Sequence, residues 1–405
     1  MLGNMLVGSV LVVFAAVISF VALKWFSAPY LWILLTWASV LLCAFWLAPR
    51  ARNAWIGLAA LVVVLAGLEG FFWVSQNWIF TEIKREGTFT WVPDDILGYR
   101  AARGVAQTES KSYRGKKLYD VVYTMGSNGL RIASAHPQGA RADLPCMMFF
   151  GDAYTFGWGL NDRETLPYRV SVRSGGMYRV YNLGFITHGA QQMLVALDHN
   201  LVSQEVNCAP RDVKYVIYSA VPDHVRRAAG LRTIDHHHGP RYVLGADGAV
   251  SYQGQFGEDR TPASKIESQL VKSSLYRKLV GGDAIYYRHY RDADVALYVA
   301  IVNSARERVR SLYPKAEFHV LLWENDDLDR SGVLAKKVLK GLRDADLTVH
   351  RIDDILPGSA QDKPEYFLGG WDPHPNALAD DRIAEYVVDH ILLKQQRTRP
   401  RAASK

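Results

Sequence analysis

Two short stretches hold the residues whose types and spacing could do chemistry. His374 follows Asp372 by two positions in Trp371-Asp372-Pro373-His374-Pro375-Asn376, and far upstream an apolar run ends in Phe149-Phe150-Gly151-Asp152-Ala153. An imidazole close to a carboxylate suits a general base and the group that orients it. In acyl-ester cleavage or transfer, such a pair takes the proton of an attacking hydroxyl while backbone N–H groups stabilise the oxyanion. The glycine at 151 suits a buried strand that turns sharply, and in an open α/β sheet ligands bind at such strand ends.

The run Gly151-Asp152-Ala153-Tyr154-Thr155-Phe156-Gly157-Trp158-Gly159 resembles the first block of the SGNH (GDSL) hydrolases, in which a Gly-Asp-Ser turn presents the nucleophilic serine. Residues 371–376 resemble the last block of that family, which supplies base and orienter. The likeness extends over roughly residues 92–393 and is carried by 149–159 and 371–376. It implies His374 as base, Asp372 as orienter and Ala153 at the nucleophile's place, where no hydroxyl exists to be activated. It also implies that the backbone N–H of Gly184, in the second block, joins that of Ala153 as an oxyanion donor. The third block normally offers an asparagine. Here it reads Ser219-Ala220-Val221-Pro222-Asp223-His224, and His224 is the better donor of the pair Asp223 and His224, because an ionised carboxylate only accepts.

Asp152 is expected to fix the turn. Trp158 and Trp323 stand either as apolar or sugar-stacking walls or as packing, His188 as pocket lining or surface, and Arg226 and Arg227 as an anion site or a solvated pair. Asp235-His236-His237-His238 reads as a polar loop, since consecutive histidines rarely converge on one ion. No metal and no cofactor are expected. Cys146 and Cys208 are open between buried thiols, the plainer reading, and a disulfide; Cys43 lies in an apolar segment.

The elements that must position these residues fall into four parts: 1–80 as a three-helix membrane domain, 81–144 as a connector with a small β layer, 145–395 as the hydrolase-like domain, and 396–405 as a basic tail. The apolar spans are about 5–23, 30–47 and 54–74, each near the roughly 20 residues that cross a hydrocarbon core. Arg50 and Arg52 place the link between the second and third spans inside, which puts the large domain outside. Glu69, within the third span, is expected to snorkel outward. Further on, strand-like runs at 147–150, 178–184, 215–220, 318–323 and 347–352 alternate with helical patterns. That alternation predicts an α/β domain with a five-stranded parallel sheet covered on both faces, and the resemblance implies that it is flavodoxin-like. An insertion at 225–291, with a hairpin around Asp247-Gly248 and a short helix near 268–279, is placed to form a cap.

With 47 Lys and Arg against 40 Asp and Glu the net charge is +7, but the basic residues are scattered and match no nucleic-acid module. The resemblance implies a multi-pass protein of the bacterial inner membrane with its soluble domain in the periplasm. It would be a membrane-anchored serine esterase or O-acyltransferase acting on acyl, chiefly acetyl, esters of envelope polysaccharide. A lipid or lysophospholipid acyl ester is the alternative substrate, and a non-catalytic binding or assembly component is the alternative role. Three spans exceed what a tether requires, so a membrane-protein partner or a second copy stays open beside the bilayer and the acylated substrate. Two accounts of Ala153 also stay open: a replaced serine in an active enzyme, favoured by the retention of Asp372 and His374, or a natural pseudo-enzyme.

Overall fold

Apolar residues at every second position of three buried strands point alternately to two cores, and this period builds the larger unit. In the computed structural model, which describes residues 2–25, 28–47, 52–81, 83–134, 141–231, 239–257, 266, 269–270, 272–279, 290–325, 331–359, 364–369 and 372–393, the chain divides into two units. One comprises residues 1–83 and 259–287, the other residues 84–258 and 288–405.

The first unit holds α1 (Leu2–Trp25), α2 (Pro29–Leu47), α3 (Arg52–Thr81) and the short α9 (Ser274–Leu279), so numbered by its place in the chain. Small residues pack where the helices meet, with Ala15, Ala22, Ala38, Ala59 and Ala66 all buried, while Val13, Phe14, Phe20, Leu61 and Phe71 face outward. Among the described residues one stretch, Asn53–Ser75, is long and apolar enough to cross a membrane; Ser9–Leu23 and Pro29–Ala44 are shorter. The expectation of three spans is therefore met in length by the third alone. Glu69 does not snorkel. The residue is 1% exposed.

The second unit begins with a β layer: β1 (Ile83–Gly87), β2 (Trp91–Asp94), β3 (Gly98–Ala101), β4 (Ala106–Tyr113) and β5 (Lys116–Thr124). β4 lies between β1 and β5, and β2 pairs with β3 as a hairpin. The parallel sheet follows, made of β6 (Cys146–Phe150), β7 (Arg179–Asn182), β8 (Val213–Ala220), β11 (Glu317–Leu322) and β12 (Thr348–Arg351) in the spatial order β12-β11-β8-β6-β7. Taken in chain order this is the flavodoxin-like arrangement 2-1-3-4-5, whose direction of winding switches between β6 and β8.

Met148 and Phe150 of β6, Val216 and Tyr218 of β8 and Val320 and Leu322 of β11 enter one core, beneath α6 (Ala190–Asp198), α10 (Asp292–Leu312) and α11 (Val333–Asp344). Met147 and Phe149, Tyr215 and Ile217, and Leu321 enter the other, beneath α5 (Leu166–Arg173) and α12 (Ala377–Tyr386). Further helices of the unit among the described residues include α4 (Ala153–Phe156), α7 (Leu201–Glu205) and α8 (His224–Ala228). The hairpin of the insertion forms as β9 (Pro240–Leu244) and β10 (Val250–Gln255), and Tyr242 buries it in the α6–α10 core, where its hydroxyl donates to Asp198. Cys146 and Cys208 form a disulfide, with their Cα atoms 6.4 Å apart, and so are not the buried thiols of the plainer reading.

Candidate active site

The first strand ends against a steric wall that requires glycine. At Gly151 φ is 152°, and a Cβ there would lie 2.3 Å from Thr155 Oγ1 and 2.9 Å from the Ser219 carbonyl. Asp152 then caps α4, accepting from the Tyr154 N–H at 3.0 Å, and Ala153 opens the helix, where an N–H has no intrahelical acceptor. The Asp152 carboxylate also accepts from Arg227 Nη1 at 2.9 Å and stands 3.3 Å from His224 Nε2. Burial works against its charge, but Arg227 and His224 hold the carboxyl well below the usual carboxylate range.

The opposite wall comes from β14 (Asp372–Pro375), which pairs antiparallel with β13 (Phe367–Gly369). His374 Nδ1 donates to Asp372 Oδ1 at 2.6 Å, and the His374 N–H reaches the same oxygen at 3.1 Å. This bond selects the tautomer that leaves Nε2 as the nitrogen able to take a proton. The imidazole lies 5.5 Å from the Tyr154 ring and 6.2 Å from the Trp158 ring, between centroids. Tyr154 also donates its hydroxyl to the Pro373 carbonyl at 2.9 Å and accepts from Asn325 Nδ2 at 3.0 Å. The two stretches that bracket the chemistry in the sequence thus meet, with the residue after Ala153 bonded to the residue before His374. The His374 side chain keeps 24% of its surface exposed, whereas Asp372 keeps 1%.

Lys111 is the residue that sequence reasoning missed. It comes from β4 of the connector, is buried, and donates from Nζ to Asp372 Oδ2 at 2.6 Å. The two oxygens of Asp372 therefore serve different partners, the imidazole and an ammonium. Burial works against the Asp372 charge, but His374 and Lys111 hold its carboxyl well below the usual range. A signal was present: Gln107, Glu109 and Lys111 recur at period two, and all three are buried. Opposite them Tyr119, Val121 and Tyr123 form one cluster with Ala153, Phe156, Trp158 and Phe185, so the β layer is a wall of the site as well as packing. Tyr119 accepts from Trp158 Nε1 at 3.0 Å, and Tyr123 joins Glu109 to the Gly159 N–H. Burial pushes the Glu109 carboxyl up, against its bond from Tyr123.

Arg131 is a second buried cation here. Its guanidinium donates to the carbonyls of Phe156, Gly157 and Leu160 at 2.6–2.7 Å and to Asp162, and so holds the loop that follows the turn.

The expected oxyanion donors fare differently. The Gly184 N–H, which the resemblance implied as a donor, is engaged here with Asn182 Oδ1 at 3.0 Å. Gly184 also serves close packing, since a Cβ there would lie 2.5 Å from Thr155 Cβ. His224 is fully buried, stacked on Tyr218 with Nδ1 2.6 Å from its hydroxyl, and is a core residue rather than a donor to substrate. Asp223 pairs with Arg227 at 3.0 Å and Arg226 at 3.6 Å. Those two arginines are buried, not a solvated pair.

His188 is buried rather than on the surface. Its Nε2 lies 3.0 Å from the Tyr99 carbonyl, and burial pulls the imidazole down to about 4. It lines a cavity of about 50 Å³ with Gly184, Asn182, Gln192 and Arg100, whose described lining includes neither His374 nor Asp372. Trp323 is core, set edge-on to Tyr154 at 5.0 Å. Residues 235–238 lie outside the described residues.

No family model matches the chain, and no curated protein matches its sequence. Among solved structures it is similar to a G-D-S-L family protein from Desulfitobacterium hafniense, at 12% identity over 60% of this chain and 97% of that one, with a TM-score of 0.35. It is similar to an acetyl xylan esterase from Butyrivibrio proteoclasticus, at 12% identity over 63% of this chain and 65% of that one, with a TM-score of 0.34. A third is an acetyl xylan esterase variant from Geobacillus stearothermophilus, at 13% identity over 60% of this chain and 93% of that one, with a TM-score of 0.34.

Proposed function

We propose that the larger unit is an acyl-ester site of the serine esterase or O-acyltransferase type, in which Ala153 stands where the attacking hydroxyl would be. The observation that carries this reading is the buried Asp372 holding His374 by Nδ1 while the imidazole packs against Tyr154, in α4, and Trp158, just after it. With a serine at 153, Oγ would attack the ester carbonyl as His374 Nε2 takes its proton. The alcohol would leave with that proton, and water or a sugar hydroxyl would then release the acyl group. With alanine the chain binds its ester without forming the acyl-enzyme.

The substrate class is an acyl ester of envelope polysaccharide. The closely packed Tyr119 and Trp158, with the half-buried Tyr154 beside His374, suit a short acyl group such as acetyl. Anchoring through α3 and its neighbours, with the domain outside the inner membrane, fits the Cys146–Cys208 disulfide, because such bonds persist in oxidising compartments. A second reading, a binding or assembly component that never turns over, is favoured by Ala153 itself.

The test is Ala153→Ser in the full chain. The first reading expects hydrolysis of a small activated ester to appear, to depend on His374, and to leave an acyl adduct on residue 153 detectable by mass. A folded variant with neither turnover nor adduct rejects it in favour of the second.

A further inference from the structure

The carboxylate of Glu69 is the one acidic group within the apolar stretch Asn53–Ser75, and it is fully engaged by a distant part of the chain. Its Oε2 accepts from Ser273 Oγ at 2.7 Å and the Leu275 N–H at 2.9 Å, and its Oε1 accepts from the Ser274 N–H at 2.7 Å. Glu69 therefore caps the first turn of α9, supplying an acceptor to N–H groups that the helix cannot satisfy itself. A second tie lies beside it: Lys272 Nζ donates to the Leu23 carbonyl, in the last turn of α1, at 2.9 Å.

Glu69 precedes Ser75, the end of the apolar stretch, by 75 − 69 = 6 residues. At 1.5 Å per residue the donors at 273–275 sit about 9 Å inside that end, and amphipathic interfacial helices bury their apolar face by about 5–10 Å. Leu275 and Leu279 lie four residues apart on one helix face, and Leu279 is 75% exposed. Residues 269–279 carry Lys272, Arg277 and Lys278 and no acidic residue.

We propose that α9 and the turn before it form an interfacial element lying at the headgroup–acyl boundary of the bilayer, held at that depth by Glu69 and Lys272 and facing anionic phospholipid through Arg277 and Lys278. The inference rests on α3 being a membrane span and is independent of the ester chemistry. An acid inside a span otherwise costs free energy and needs a partner. Here its partners are the donors of a helix that has apolar and basic faces of its own.

The experiment uses the full chain with Cys43→Ser, reconstituted in vesicles containing phosphatidylglycerol. Leu275→Cys and Leu279→Cys are introduced singly, with Ser251→Cys, in the exposed part of β10, as the control. The expected result is that positions 275 and 279 react with a membrane-impermeant maleimide at least tenfold more slowly than position 251, and that a fluorophore placed there is quenched by a lipid with a spin label near the headgroup. Glu69→Ala is expected to bring both positions close to the control rate. Labelling of 275 and 279 at the control rate, in vesicles from which alkaline carbonate does not extract the chain, overturns the proposal. Extraction by carbonate overturns the span on which it rests. Equal protection in purely zwitterionic vesicles overturns the preference for anionic lipid.

Discussion

Replacing Lys111 by methionine tests whether Asp372 depends on a charge supplied by the β layer. The pair is 2.6 Å apart with side chains 5% and 1% exposed, so solvent screens it little. Methionine keeps the length of the stem and removes the ammonium. Asp372 Oδ2 then faces an apolar tip with no donor from Lys111, while Oδ1 keeps its two bonds from His374. Removing one member of a buried ion pair costs about 3–5 kcal/mol, because the remaining charge stays desolvated. At about 2–4 °C per kcal/mol for a domain of this class, the melting temperature should fall by about 6–20 °C.

The pH dependence has a definite sign. The Asp372 carboxyl is held below its unfolded value, so the stability it contributes is present above about pH 4 and is lost as pH falls through the folded value. The gap between parent and Lys111→Met should therefore be widest near neutrality and narrow in acid. Adding Asp372→Leu should restore most of the loss, since both charges are then gone. Thermal unfolding of the detergent-solubilised chain from pH 3 to 8, followed by tryptophan fluorescence, measures this. A variant within about 1 kcal/mol of the parent, or a gap that stays constant into acid, refutes the argument that Asp372 requires the ammonium.

In the Ala153→Ser background, His374→Ala should lower the acquired ester hydrolysis by about 10²–10⁴-fold, the usual contribution of a positioned base, in a spectrophotometric assay. Replacing Cys146 and Cys208 together by serine opens a loop of 62 residues and should cost about 4 kcal/mol, read as a lowered melting temperature under non-reducing conditions. Burial pushes the Asp380 carboxyl up to about 8, with the Leu166 N–H donating to it at 2.8 Å. The folded chain therefore keeps a proton that the unfolded chain releases, so this stabilisation is full below about pH 4 and is lost as pH rises through 8. Asp380→Asn should gain on the parent in melting temperature across that window, and a pH-independent difference would contradict the assignment.

Much of the larger unit was legible in the chain. Strands and helices announce themselves through local periodicity: Met147 to Phe150, Tyr215 to Tyr218 and Phe318 to Leu322 are near-continuous apolar runs, as strands buried on both faces must be. Asp372 and His374 were legible for the same reason, since two positions of one strand suffice to form their bond. What could not be read were the buried charge contacts whose partners are far apart in sequence. Lys111 meets Asp372 across 261 residues, Glu69 meets Ser273 across 204, and Arg227 meets Asp152 across 75. All three acids stand out in the sequence, yet by sequence alone Glu69 reads as reaching toward water and Arg227 as part of an anion site or a solvated pair.

The sequence by itself determined the alternation of elements, the glycine turn at 151, the absence of a hydroxyl at 153 and the acid–imidazole spacing, because each depends on neighbours a few residues away. Only the tertiary structure decided which charges are buried together, which backbone donors are already engaged, and that a small β layer supplies a wall of the site. Those outcomes follow from desolvation: a charge taken out of water must find its partner wherever packing brings one, and sequence distance places no limit on where that is.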